Sequence, residues 1–275
     1  MARVKQLDQI TGSIGNLSFY TRKGSDQIFV RTKGGASREK IKRNPEFENL
    51  RKNNKEFGGC SKMSKQIRLT FFDLTHVADF NLSSVLCSLA KNIQKADMEN
   101  PVGERSIRLS RFRAMLTGFN FNNNNRFDTL LRIALQSSIE RETQQATVDI
   151  PAFACSFGLY LPNGRTPAKP DYSLFRISIS LGVVTDLQLN AQKTGYEPVH
   201  STLGLGYKTT STPWYSTQAS IPEQQLLLNI HEPSAIFTDD DTLILTIALE
   251  FGTLDAFGNP TPVRGAGAGK ILLAG

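Results

Sequence analysis

The chain of 275 residues carries 32 Lys and Arg against 25 Asp and Glu, a formal net charge of +7, with 39% hydrophobic and 21% charged residues. That balance supplies a sizeable core and excludes a disulfide-stapled miniprotein, a collagen-like chain and a wholly disordered one. No apolar stretch reaches the ~20 residues that a membrane-spanning helix needs, and the opening MARVKQLDQITGS lacks the apolar run of a secretion signal.

The expectation is therefore cytoplasmic synthesis without membrane insertion, with release by lysis left open. Cys60, Cys87 and Cys155 are scattered and form no CxxC pair, so they read as small apolar residues in a reducing compartment. Charge is uneven along the chain. Residues 1–70 hold 16 basic and 6 acidic side chains (+10), residues 71–145 hold 9 and 8 (+1), and residues 146–275 hold 7 and 11 (−4). Such asymmetry points to an anionic partner for the N-terminal part.

In chain order, Ile14–Tyr20 and Gln27–Arg31 read as the two strands of a β-hairpin, with Arg22-Lys23-Gly24-Ser25-Asp26 as the turn. A lone hairpin is marginal in water and must dock on something. Ser37–Arg43 reads as a basic linker. Asn44 then suits an N-cap, Pro45 the first helical position and Glu46 the helix dipole. Phe47, Leu50, Phe57, Cys60, Met63 and Ile67 recur at helical spacing, and Gly58-Gly59 in their midst predicts a kink or a close backbone approach. A second helix is expected over Asn81–Ala96, and residues 107–121 are ambiguous between short helix and strand.

From Thr147 the period changes to two. Val148–Ile150, Phe157–Leu161, Phe175–Val183, Leu226–Ile230, Leu243–Phe251 and Lys270–Leu273 read as strands. In Phe175–Val183 the apolar face alternates with Arg176, Ser178, Ser180 and Gly182, as for a strand with one buried side. The expected fold class is α+β: an N-terminal β-hairpin arm (1–36), a basic linker and helical pair (37–104), and an antiparallel β-sandwich (105–275).

Three motifs invite chemistry and fail on inspection. Gly265-Ala266-Gly267-Ala268-Gly269-Lys270 is one residue short of a phosphate-binding loop, has Ile271 in place of Ser or Thr, and leaves no room for a helix; a flexible turn is expected. Lys62-Met63-Ser64-Lys65 resembles a synthetase signature, but the nucleotide-binding sheet and partner motif of that family are missing, so both lysines read as a solvated helix face. Asp239-Asp240-Asp241 lacks the alternating oxygens, glycine and distal Glu of a calcium loop and reads as a solvated turn. His76, His200 and His231 have no metal or triad spacing, and no catalytic residue or cofactor is assigned. Trp214-Tyr215 reads either as an exposed contact patch, the sole support for a carbohydrate-binding sandwich, or as a cap on the sandwich end.

Residues 11–68 resemble an uncharacterised bacterial family. Its members open with a hairpin like Gly12-Ser13-Ile14-Gly15-Asn16-Leu17-Ser18-Phe19-Tyr20 and continue through Val30–Gly35 to a helix like Asn44-Pro45-Glu46-Phe47-Glu48-Asn49-Leu50-Arg51-Lys52-Asn53-Asn54-Lys55-Glu56-Phe57-Gly58. A weaker likeness recurs at Leu116–Phe121 and Val148–Phe153. The resemblance implies one architecture and no known activity.

The expected function is a non-enzymatic structural subunit that self-assembles head-to-tail into a filament, tube or phage-like particle. Its partners are other copies of itself, with no small-molecule substrate evident. The expected interface comprises Ile14, Leu17, Phe19, Tyr20, Ile28, Val30, Phe47, Leu50 and Phe57, meeting acidic positions such as Asp239, Asp240, Asp241 and Asp255. The alternative is nucleic-acid binding through the basic surface of Arg22, Lys23, Arg31, Lys33, Arg38, Lys40, Lys42, Arg43, Arg51 and Lys52, with Phe19, Tyr20 and Phe29 as stacking platforms.

Overall fold

Gly15 sets the geometry of the N-terminal unit. The structure, a computed structural model, describes residues 3–6, 9–22, 27–161, 172–200, 206–233 and 235–275. Within these, Gly15 takes φ +54 at the first position of a two-residue loop, so that Ile14 pairs with Leu17. The stretch expected as one strand from Ile14 to Tyr20 is therefore two strands and their turn. The result is a four-stranded antiparallel meander, β1 (Arg3–Gln6), β2 (Gln9–Ile14), β3 (Leu17–Thr21) and β4 (Ile28–Thr32), rather than a lone hairpin. Lys23 and Gly24 lie outside the described residues.

The expected linker is a helix, α1 (Arg38–Arg43), whose N-cap Ser37 accepts from the Lys40 amide. Asn44, expected to cap the long helix, instead caps a single 3-10 turn, Pro45–Phe47, ahead of it. Arg51 ties that turn to α1 by donating to the carbonyls of Ile41 (2.7 Å) and Asn44 (2.8 Å). The chain divides into two compact units, Met1–Arg51 and Lys52–Gly275, and the boundary falls inside α2 (Glu48–Leu69).

In the larger unit, α2 leads through a 3-10 segment, Phe72–Val77, to the expected second helix, α3 (Leu82–Lys95), whose N-cap is Asn81. Residues 107–121 are neither helix nor strand but two 3-10 turns with isolated bridges. One helical turn, α4 (Phe127–Leu130), precedes β5 (Gln136–Glu140), β6 (Gln145–Ile150) and β7 (Phe153–Ala154). The expected strand at Phe157–Leu161 is instead a turn of helix, α5 (Cys155–Gly158); Gly158 packs where a Cβ would stand 2.7 Å from the Phe153 ring. Then follow β8 (Leu174–Thr185), β9 (Leu187–Leu189), β10 (Tyr196–Pro198), β11 (Tyr207–Ser211), β12 (Tyr215–Ser216), β13 (Ser220–Ile221), β14 (Gln224–Asn229), β15 (Asp241–Leu254) and β16 (Pro260–Ala274).

The fold is α+β. A five-stranded antiparallel sheet, β11-β8-β15-β16 with β12 beside β8, faces a three-stranded sheet, β14-β6-β5. Between them lies a core of Phe175, Ile177, Ile179 and Leu181 from β8, odd residues Leu243 to Phe251 of β15, and Val148 and Leu226 from the smaller sheet. The opposite face of the large sheet is buried too. Val184, Ile244 and Ala248 pack on Met63, Ile67, Leu86 and Phe121 of the helical layer. This corrects the expectation of one buried side for β8: Ser178 and Ser180 are fully buried, Ser180 donating to the Thr70 carbonyl at 2.7 Å. Three layers explain why β15 reads as a continuous apolar run.

The glycine-rich stretch expected as a turn lies inside β16. At φ +130, Gly267 sits so close to β15 that a Cβ would meet the Leu249 carbonyl at 2.2 Å, and Gly269 makes room for the Phe121 ring.

Of the two mid-helix glycines, Gly59 is the close approach: a Cβ there would lie 2.7 Å from the Tyr196 ring, whereas Gly58 faces open space. Tyr196 cannot retreat, because its hydroxyl donates to the Arg105 carbonyl (2.7 Å) and accepts from Gln94 (3.0 Å). Gly59→Ala should therefore lose about 1–3 kcal/mol by overpacking. Gly58→Ala should gain about 0.5–1 kcal/mol from helix propensity. Thermal melting of the two variants checks the pair; equal shifts would contradict the contact.

Candidate assembly interface

The pairing Leu17↔Thr32, Phe19↔Val30 and Thr21↔Ile28 places Leu17, Phe19, Ile28 and Val30 on one face of the small sheet, joined by Ile14 opposite Leu17. This face is apolar and open: Ile14 is 53%, Leu17 40% and Val30 52% exposed. Among the described residues from 11 to 51, none is buried. The described residues from 11 to 51 thus supply strands and hydrogen bonds but no buried hydrophobic side chain. Among the described residues the sheet's outer strand β4 pairs with β3 alone, and no strand lies along its other edge.

Tyr20, expected in the same interface, belongs to the other face with Phe29. Their rings stack at 5.8 Å between centroids and 29° between planes. Arg22 lies over Phe29 at 4.3 Å and Arg31 over Tyr20 at 5.6 Å, both as cation–π contacts. Lys33 donates to the Gly15 carbonyl at 2.9 Å. The described residues from 9 to 38 contain no carboxylate, so this second face is cationic and aromatic. Phe19, expected beside Tyr20 and Phe29 as a stacking platform, points to the apolar face instead, because strand residues alternate.

The remaining expected residues scatter. Phe47 is half-buried and Leu50 exposed. Phe57 is 62% exposed and out of phase with the buried stripe. The stripe that docks is Glu56, Cys60, Met63 and Ile67, at spacings of four, three and four. Arg38, Lys40, Lys42 and Arg43 are exposed on α1, whereas Arg51 is spent on backbone carbonyls and Lys52 is half-buried, packing beneath Gly103. Asp241 is fully buried, not a solvated turn residue: it accepts from the Thr185 hydroxyl and the Thr238 amide, with His200 Nε2 3.1 Å away. Asp255 closes the β15–β16 turn by accepting from the Phe257 and Asn259 amides. Trp214 and Tyr215 serve as a cap. Tyr215 packs on the inter-sheet core, and Trp214 covers Gly252 with the Arg176 guanidinium 4.7 Å over its ring.

Two buried carboxylates organise the polar interior. Glu56, fully buried, accepts from Arg105 through both oxygens (2.8 Å each), from Lys91, and from the Gly103 amide at 2.8 Å. Burial pushes its pKa up, but these donors outweigh it and hold the carboxyl at about 2. Glu250 is held alike: Arg176 donates to both oxygens (3.1 and 2.9 Å), His76 Nε2 lies 3.0 Å from Oε2, and the Ser178 hydroxyl donates to Oε1. Burial raises this carboxyl also, and the three donors bring it to about 2. Ser178, Glu250 and His76 superficially suggest a triad, but here the acid stands between hydroxyl and imidazole. His76 therefore has no access to the Ser178 proton, as a general base requires.

Sequence spacing missed both carboxylates, although Glu56 lies in phase with Cys60, Met63 and Ile67 and carried a readable signal. The thiols are inert in this setting: burial pushes Cys60 up to about 12 and Cys155 up to about 11. Among the described residues no group of three His, Cys, Asp or Glu is placed to hold a metal ion, and no helix is long and apolar enough to cross a membrane. No family model, curated protein or solved structure matches the chain.

Proposed function

We propose that this chain is a non-enzymatic building block, made in the cytoplasm, that self-assembles by having a neighbouring copy complete its N-terminal sheet. The single observation that carries the reading is the apolar face of Ile14, Leu17, Phe19, Ile28 and Val30 in a unit where no described residue from 11 to 51 is buried. A sheet face of this kind gains stability only when another surface covers it. The free edge of β4 offers main-chain pairing to the same neighbour. Charge supports a head-to-tail contact, since the basic first quarter differs in sign from residues 146–275, and unlike patches generate rings or filaments. Asp239 and Asp240 are the exposed acidic positions left for that contact once Asp241 is set aside as buried.

Negative-stain microscopy of the concentrated full chain tests this. Ordered rings, tubes or filaments are expected from the wild type and dispersed monomers from Val30→Asp, whose side chain is already 52% exposed. Identical fields of dispersed particles from both proteins would contradict the reading.

A second reading has its own observation. The cationic face of Arg22, Arg31, Tyr20 and Phe29 offers rings and guanidinium planes of the kind on which unpaired bases stack. It requires retardation of single-stranded oligonucleotide at low salt, relieved by salt and by Arg31→Gln.

A further inference from the structure

The C-terminal end of α2 carries a charge arrangement that neither reading uses. Lys65, Arg68 and Leu69 share one helical face, and with Phe72, Phe80 and Arg264 of β16 they line an open cavity of about 430 Å³. None of the three cations makes an ion pair or hydrogen bond with a described residue, and the buried Nε of Arg68 has no acceptor. Among the described residues no carboxylate lines the cavity. The two nearest in sequence are committed elsewhere: Asp73 accepts from Tyr207 (3.3 Å) and Thr209 (3.1 Å), and Asp79 accepts from the amides of Asn123 and Asn124. Asn81 and Leu82, at the N-terminal end of the 14-residue α3, complete the rim and add the positive end of a helix dipole.

A cation in the last turn of α2 complements that helix's own dipole, which accounts for Arg68. It does not account for Arg264, which a separate strand brings to the same cavity against like-charge repulsion. A buried guanidinium N–H without an acceptor is itself unfavourable. Phe72, 59% exposed, adds an aromatic wall.

We propose that this cavity binds a phosphate ester carrying an aromatic base, with Lys65, Arg68 and Arg264 on the phosphate and Phe72 against the ring. Its size suits a small organic ligand, and arginine matches phosphate oxygens in bidentate geometry. The ester is either a free nucleotide or the terminus of a single strand.

Isothermal titration of the full chain with adenosine monophosphate, adenosine, inorganic phosphate and a 5′-phosphorylated single strand tests the site. Saturable 1:1 binding of adenosine monophosphate is expected, about tenfold weaker for Arg264→Gln, an exposed position that leaves the fold intact. Phe72→Ala should weaken the nucleotide and leave inorganic phosphate unchanged. Binding of the strand alone, weakened by Arg264→Gln, also supports the site and assigns the ester to a polymer. No binding of either ester, or binding that both variants leave unchanged, overturns it. The outcome is independent of whether the protein assembles.

Discussion

Glu56→Ala should destabilise the helical layer by about 3–5 kcal/mol, as much as truncating a large apolar core residue. The substitution leaves Arg105 and Lys91 without their carboxylate and the Gly103 amide without an acceptor, in a site closed to water. It also releases Arg105, whose carbonyl anchors Tyr196 and Gln94, so the contact that packs Gly59 loosens with it. Because the folded carboxyl sits at about 2 against an ordinary 4.5, its stabilisation is complete above pH 4.5 and lost as pH falls toward 2. Denaturant unfolding at pH 7 and again near pH 3 measures this. The gap between wild type and Glu56→Ala should narrow at the lower pH, and a loss below 1 kcal/mol at pH 7 would show that the network contributes little.

The Glu250 network should behave as a second such anchor, in which the contributions of Glu250 and His76 depend on pH with opposite sign. Replacing Glu250 by Gln is expected to remove about 3–5 kcal/mol at pH 6, since Arg176 and His76 then face a neutral group inside the sheet. The hydrogen bond to Glu250 raises the His76 pKa above the ordinary 6.5, outweighing burial, which lowers it. Protonated His76 thus stabilises the fold fully below pH 6.5, and that contribution is lost as pH rises through its folded value. The Glu250 carboxylate contributes above pH 4.5 and fails as pH falls toward 2. Melting curves of wild type and His76→Gln across pH 5 to 9 should therefore converge at the alkaline end; a constant separation would contradict a stabilising charge on His76 that is lost within that range.

The parts of this fold legible in the sequence are those fixed by local periodicity. The alternation Phe175–Leu181, the apolar run Leu243–Phe251 and the Asn81-capped helix each occur where their side-chain pattern places them. What was illegible depended on distant partners. Ser178 and Ser180 look solvent-facing beside their apolar neighbours, because nothing local shows that α2 delivers the Thr70 carbonyl to Ser180. Asp241 looks like one of three turn aspartates, yet Thr185, 56 residues earlier, draws it into the sheet. At Gly15-Asn16 a two-residue loop hid within a string of strand-forming residues; on one continuous strand Ile14 would share a face with Tyr20, whereas the loop returns it beside Leu17. The apolar face was found nonetheless, since Leu17, Phe19, Ile28 and Val30 keep their alternation whichever strand boundary is drawn.

Sedimentation velocity over a hundredfold range of concentration tests the completion of the N-terminal sheet most directly. Wild-type protein should move from the 30.4 kDa monomer toward larger species as concentration rises, while a Leu17→Asp, Val30→Asp double variant stays monomeric with the melting behaviour of its larger unit unchanged. A wild type that sediments as the monomer throughout would mean that its exposed apolar strands need no neighbour.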